Sequence, residues 1–172
     1  MKTKLCVLTI AALVAWGLKR HYADAAAEDL QWILWPTATL SGVLTGATFV
    51  MVPAEGFVSH ERLFAIEKVC AGVNFMIAAL VLLVLALLHR ARSWTSAAAL
   101  LGISVAVSYA TAIVVNATRI AIAMRLAAHP VAAVSAAHVH RLEGIIVYFG
   151  ALLLLYELVQ RVDRFAPSMG SR

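Results

Sequence analysis

Three stretches of this chain are apolar without interruption and long enough to cross a bilayer. A membrane-spanning helix needs about 20 mostly apolar residues to cover roughly 30 Å of hydrocarbon. Residues 69–88 and 95–118 meet this with no charged residue, and residues 144–160 meet it with one acid, Glu157, near the end. Each is predicted to be a transmembrane helix. The amino-terminal half is mixed. Residues 5–18 form an apolar run behind Lys2 and Lys4. As a helix this run covers only about 21 Å at ~1.5 Å per residue. A secretory signal peptide cut near the small residues 25–27 is the competing reading. Lys19 and Arg20, directly after the run, favour a retained anchor over residues 5–20.

Residues 30–54 also lack charge but contain Pro36, Gly42, Gly46 and Pro53 among several hydroxyl side chains. A short helix over 30–45 is predicted there, with Trp32 and Trp35 suited to the membrane interface. Residues 47–69 read as two extended segments around a turn at Glu55 and Gly56. They are expected to pack on the membrane surface, because irregular backbone at depth survives only against protein or water. Residues 161–172 read as a polar tail. The expected architecture is a single polytopic domain over residues 1–172. It is an all-α integral membrane bundle, multi-pass with about four spans, and carries one irregular segment.

Composition narrows the function classes. The chain is 63% hydrophobic and 13% charged, with mean hydropathy +0.89. A soluble domain is about 45–50% apolar and about 25% charged, so a soluble enzyme is excluded. Two cysteines give no disulfide framework. The net charge of +5 comes from basic residues lying between apolar runs. That pattern belongs to membrane flanks, and no nucleic-acid partner is expected; membrane lipid is.

Alternating spans bring chemistry together. Cys70 starts the first firm span, Arg119 ends the second, and His140 precedes the third, so all three lie on one face. A thiol at a helix N-terminus gains thiolate character from the dipole and free N–H groups. An imidazole accepts its proton. Arginine keeps its charge and offers a rigid donor fork for a developing oxyanion. Asn116 shares a helix face with Arg119 at i, i+3 and is placed to orient it or to bind substrate. Gly144, at i+4 from His140, leaves room for another backbone. Gly72 and Gly144 also offer bare faces to a substrate helix.

Other readings compete. A single cysteine in an apolar helix is usually a small hydrophobe, and Cys6 is assigned that way. Arg119 at a span end also fits simple snorkelling. His138 with His140 would suit haem or metal, but no further ligand spacing supports it, so no cofactor and no metal is expected. His21, His60, His89 and His129 read as surface or interfacial, and Arg125 and Arg141 as solvated. Glu67 reads as structural, and Glu143 as facing water or Arg141. The non-enzymatic alternative is a small membrane subunit of an export or transport complex.

Three segments carry a resemblance. Cys70-Ala71-Gly72-Val73-Asn74-Phe75 resembles the C-S/A-G-hydrophobic-x-F segment of the exosortase/archaeosortase family. Asn116-Ala117-Thr118-Arg119-Ile120 resembles its N-x-x-R-hydrophobic segment. His140 to Gly144, running on to Tyr148-Phe149, resembles its H-x-x-x-G-x-x-x-F segment. The order matches, the resemblance covers about residues 45–160, and the short chain is most similar to the compact exosortase K type. Ala71 stands where serine is common. The resemblance implies a multi-pass inner-membrane cysteine protease or transpeptidase. It implies cleavage of a C-terminal sorting signal of exported proteins (PEP-CTERM-like: a short motif, a transmembrane helix and a basic cluster). It also implies reaction through a Cys thioester, with transfer to a surface acceptor. Cys70 is then the nucleophile, Arg119 the transition-state stabiliser and His140 the general acid/base. Basic residues flanking the firm spans divide evenly, while Lys2 and Lys4 favour an inside amino terminus. The resemblance places the site and the irregular segment on the extracytoplasmic side, and so makes residues 161–172 a cytoplasmic tail.

Overall fold

The computed structural model describes residues 2–61, 63–128 and 136–165. These form helix α1 (Lys2–Asp24), helix α2 (Gln31–Thr45) and strands β1 (Val50–Val52), β2 (Gly56–Ser59) and β3 (Phe64–Ile66). Helices α3 (Val73–Leu87), α4 (Trp94–Ala128) and α5 (Ala136–Phe165) follow. Three segments are long and apolar enough to cross a membrane: Lys68–Arg90, Trp94–Ala127 and Arg141–Arg164. They contain the three uninterrupted apolar runs. Their outer faces expose Leu85, Ile103, Val114, Ile146, Phe149 and Leu154, as expected where the solvent is lipid. The chain is an all-α, multi-pass membrane protein carrying one small sheet.

The helices overrun the predicted spans. The 35 residues of α4 reach about 52 Å at ~1.5 Å each, well beyond ~30 Å of hydrocarbon. Arg119 therefore lies inside a continuous helix rather than at its end. At the other terminus, residues 161–165 continue α5 and are not a tail. Asp163 accepts from Arg90 Nε at 2.5 Å and meets His89 Nε2 at 3.1 Å, which ties the end of α5 to the α3–α4 connection. The rest of the predicted tail, residues 166–172, lies outside the described residues.

Helix α1 runs antiparallel to α3. Val7 and Ala11 pack with Leu80, Val84 and Ala97 at one end, and Lys19 Nζ donates to Asn74 Oδ1 at 2.8 Å at the other. Its 23 residues reach about 35 Å, longer than the apolar run because the flanking lysines are helical too. The amino terminus of α1, the α3–α4 connection and the end of α5 therefore share one end of the bundle. The sheet, Cys70 and the start of α5 share the opposite end, called here the sheet end.

Helix α2 covers about 22 Å with its 15 residues, too short to cross. Pro36 lies inside it. Proline has no N–H, so the carbonyl four residues back, that of Trp32, loses its helical donor. The Tyr109 hydroxyl of α4 fills the gap, donating to Trp32 O at 2.6 Å. The Trp32 and Tyr109 rings also stack with centroids 6.0 Å apart. Thr39, Ser41 and Thr45 turn their hydroxyls back onto carbonyls one turn earlier, so these polar groups are satisfied without water.

The predicted pair of extended segments is in fact a three-stranded antiparallel meander, ordered β1-β2-β3. The second segment is not continuous: β2 ends at Ser59, and the strand that resumes at Phe64 pairs back as β3, with Phe57 opposite Ile66. Gly56 has φ +95, and a Cβ there would stand 2.5 Å from Ile66 O, so only glycine fits this tight crossing. Glu28, just before α2, accepts the Ala54 N–H at 2.6 Å. That bond, with the Glu28 N–H, holds its carboxyl below the usual carboxylate range. Both ends of α2 thus return to the sheet, and Phe57, Ile66, Leu30 and Leu34 join the main core.

Replacing Tyr109 with Phe should destabilise the protein by about 0.5–1.5 kcal/mol, the net worth of one ordinary hydrogen bond. Thermal unfolding in detergent reads this. A Tyr109→Phe protein as stable as wild type would mean that the Trp32 carbonyl finds another donor.

Candidate active site

The chain leaves β3 at Ile66 and makes a 3-10 turn over Lys68–Cys70. It passes Gly72 in the left-handed conformation and enters α3 at Val73. Cys70 thus precedes the helix instead of starting it, and the free N–H groups of α3 belong to residues after it. The turn is held locally. The Cys70 N–H donates to Glu67 O at 2.8 Å. Lys68 Nζ donates to Ala23 O and Ala25 O at 3.1 and 2.6 Å, and lies 5.4 Å from the Tyr22 ring centroid. Lys68 therefore fastens the turn to the end of α1.

Across from this turn stands α4. Asn116 is wholly buried, and its Nδ2 donates to the Cys70 carbonyl. The Tyr148 hydroxyl of α5 donates to Asn116 Oδ1 at 2.8 Å, which fixes which way the amide points. Gly72 has φ +71, and a Cβ on it would sit 3.1 Å from Asn116 Cγ. The glycine therefore lets the Cys70 turn close on Asn116. Asn116 positions the Cys70 backbone, where the sequence reading had it orienting Arg119 or binding substrate.

Arg119, one turn further along α4, is 8% exposed. Its guanidinium lies close enough to the Cys70 thiol to act on it through its charge. Its carbon Cζ stands 5.4 Å from the Tyr148 ring centroid, a cation–π contact. The ring itself is braced by Phe75, stacked at 5.1 Å. Gly144 presents its bare Cα to the same guanidinium, since a Cβ there would lie 3.6 Å from Arg119 Nη1. The space expected beside His140 for a backbone is thus taken up by arginine.

Two residues differ from their sequence reading or were missed by it. Glu143 was expected to face water or Arg141, but it is buried at 8% exposure and lies in the charge field of Arg119. The α5 helix explains this: Glu143 is adjacent to Gly144, which packs on the guanidinium. Tyr148 went unassigned although it contacts both Asn116 and Arg119. Its spacing of four from Gly144 was the available clue. His140 lies in the first turns of α5, one turn before Gly144, but its side chain lies outside the described residues, as does that of His138. His129 lies outside them too. Among the described residues, no group of three or more His, Cys, Asp or Glu is arranged to hold a metal.

The assembled group is a thiol with a permanently charged, rigid donor fork beside it, at the sheet end of the three apolar helices. Such a pair suits attack on a carbonyl, with the fork stabilising the oxygen as it becomes negative. A profile of the transmembrane exosortase family matches residues 37–157. That stretch takes in Cys70, Gly72, Asn116, Arg119, Glu143, Gly144 and Tyr148. Searches of curated proteins and of solved structures return no match.

The two glycines should respond differently to a methyl group. Gly72→Ala combines a left-handed backbone with contact on Asn116, and should lose about 1–3 kcal/mol. Gly144→Ala meets only ordinary packing distance and gains helix propensity, so it should stay within about 1 kcal/mol of wild type. Thermal unfolding of both variants checks the ranking; the reverse order would contradict this packing.

Proposed function

The chain belongs to the transmembrane exosortase family, and from that premise we propose that it is a membrane-embedded cysteine transpeptidase of the compact exosortase K type. Its substrates are exported proteins ending in a PEP-CTERM-like sorting signal: a short motif, a transmembrane helix and a basic cluster. One observation carries the reading, which is the buried Arg119 one helical turn from Asn116, the residue that holds the Cys70 carbonyl, so that guanidinium and thiol share one site. An arginine buried in an apolar bundle is costly unless it has a task.

In this reading Cys70 gives its proton to His140 and attacks the scissile carbonyl carbon. Negative charge then develops on the carbonyl oxygen, and the Arg119 fork stabilises it. Collapse breaks the C–N bond, and His140 returns the proton to the leaving amine. The product is an acyl thioester on Cys70. An acceptor nucleophile, or water, attacks that thioester and frees the thiol. Asn116 and Tyr148 act by position: they hold the Cys70 carbonyl and the floor under Arg119, so the geometry exists before substrate arrives. The substrate helix lies in the bilayer, and its scissile bond emerges at the depth of Cys70. The orientation that suits exported substrates has α1 as a fourth crossing and the sheet end outside.

Cys70→Ala should abolish processing of a reporter bearing the sorting signal while leaving the protein folded and inserted. Arg119→Lys keeps the charge but loses the fork, and should slow turnover about 10²–10³-fold. Hydroxylamine should intercept the acyl group from the wild-type thioester and release none from Cys70→Ala. Processing by Cys70→Ala at the normal rate would remove the proposal.

Orientation is tested separately. In a Cys6→Ser, Cys70→Ser background, the exposed Glu61 replaced by Cys should react in intact cells with a membrane-impermeant maleimide. Reaction only after lysis would place the sheet end inside.

A further inference from the structure

The three long helices do not close on one another away from the site. A groove of about 630 Å³ opens between α3, α4 and α5, walled by residues such as Leu83, Ala99, Ile103 and Val159. Its charged lining residues, Arg90 and Asp163, both stand at the end far from the sheet. Along α4 the lining runs from residue 96 to residue 111, about 22 Å at ~1.5 Å per residue. The groove is therefore apolar for most of its length and ionic at one tip, the polarity of an amphiphile.

Its size selects the kind of occupant. A protein helix about 10 Å across and 22 Å long fills roughly 1,700 Å³. The groove takes only a strip of such a helix, whereas a flexible acyl chain enters whole.

The sign of the charge selects the headgroup. At the groove's ionic end the described residues include Lys2, Lys4, Arg90, Arg92, Arg161 and Arg164 against two acids, Glu157 and Asp163. At the sheet end, six basic residues face seven acids among the described residues. The positive excess of the described residues thus lies at the end of the bundle where the groove has its ionic tip. Asp163 holds Arg90 at the mouth through Nε and Nη2, and Arg92, exposed in the α3–α4 connection, supplies a second charge. Trp94, 65% exposed, stands beside them and suits the headgroup level. Basic pockets between transmembrane helices are sites for anionic headgroups. The basic cluster of a sorting signal would meet like charge there.

We propose that the groove is a binding site for an anionic phospholipid, with an acyl chain between α3, α4 and α5 and the phosphate at Arg90 and Arg92. The site is independent of the thiol chemistry, so it can fail while the proposed function stands, and the reverse. Native mass spectrometry of the detergent-purified chain, offered phosphatidylglycerol or phosphatidylcholine of the same acyl composition, reads it directly. The expected result is retention of phosphatidylglycerol over phosphatidylcholine by about fivefold or more. Arg92→Gln should lower that retention about fivefold, as expected for one basic residue near a phosphate. Ala99→Phe, at an exposed wall position, should fill the groove and lower retention of either lipid. Equal retention of the two lipids, or unchanged phosphatidylglycerol retention in Ala99→Phe, would overturn the proposal. So would a photo-crosslinker at Ile103 that captures a protein helix in cells instead of phospholipid.

Discussion

Everything at the sheet end is arranged around one guanidinium that cannot lose its charge. Taking arginine out of water in an apolar bundle costs several kcal/mol unless neighbouring groups replace the solvent. Here the replacements come from two different elements. The Cys70 thiol arrives from the turn before α3, the Tyr148 ring and the bare Cα of Gly144 come from α5, and the Glu143 carboxylate adds its field. A side chain that needs several partners fixes the relative positions of the elements that supply them. The arginine is thus an organiser of the fold as well as a reagent.

The second layer holds the first. Asn116 joins the Cys70 carbonyl to the Tyr148 hydroxyl, and Tyr148 in turn lies on Phe75. Each link crosses between elements, so the Cys70 turn, α4 and α5 are connected by polar contacts where water is scarce, and α3 by a ring stack. Such contacts are directional, whereas lipid-exposed apolar packing is not. The sheet contributes by bringing the chain back from α2 to the Cys70 turn, and Glu28 and Lys68 fasten its two sides to the end of α1 and the start of α2.

Much of this was legible in the sequence, for definite reasons. Uninterrupted apolar runs at 69–88, 95–118 and 144–160 leave little choice of structure in a bilayer, because only a helix satisfies its own backbone there. The short helix over 30–45 was readable because two helix-compatible turns precede Gly46. Alternation of spans then placed Cys70 and Arg119 at one end whatever the first sixty residues did. The ends of elements were less legible. Hydropathy stops at the edge of hydrocarbon, but α4 and α5 continue past it, so helix length was underestimated. The third strand was hidden because three residues carry too little alternation to stand out. Tyr148 and Glu143 were hidden for another reason. Their roles depend on which face of α5 meets α4, and in a helix apolar all round no moment reveals that face.

The break in α2 has an implication for how the chain is assembled. The carbonyl left open by Pro36 is closed by a hydroxyl 77 residues later in the sequence. When α2 leaves the ribosome its partner has not yet been made. Until Tyr109 emerges, that oxygen has to be hydrated, and α2 stays near the headgroups where water reaches it. Burial of α2 against α4 is therefore a late event in biogenesis, and the Cys70 turn, which follows α2 through the sheet, takes its final place only after it.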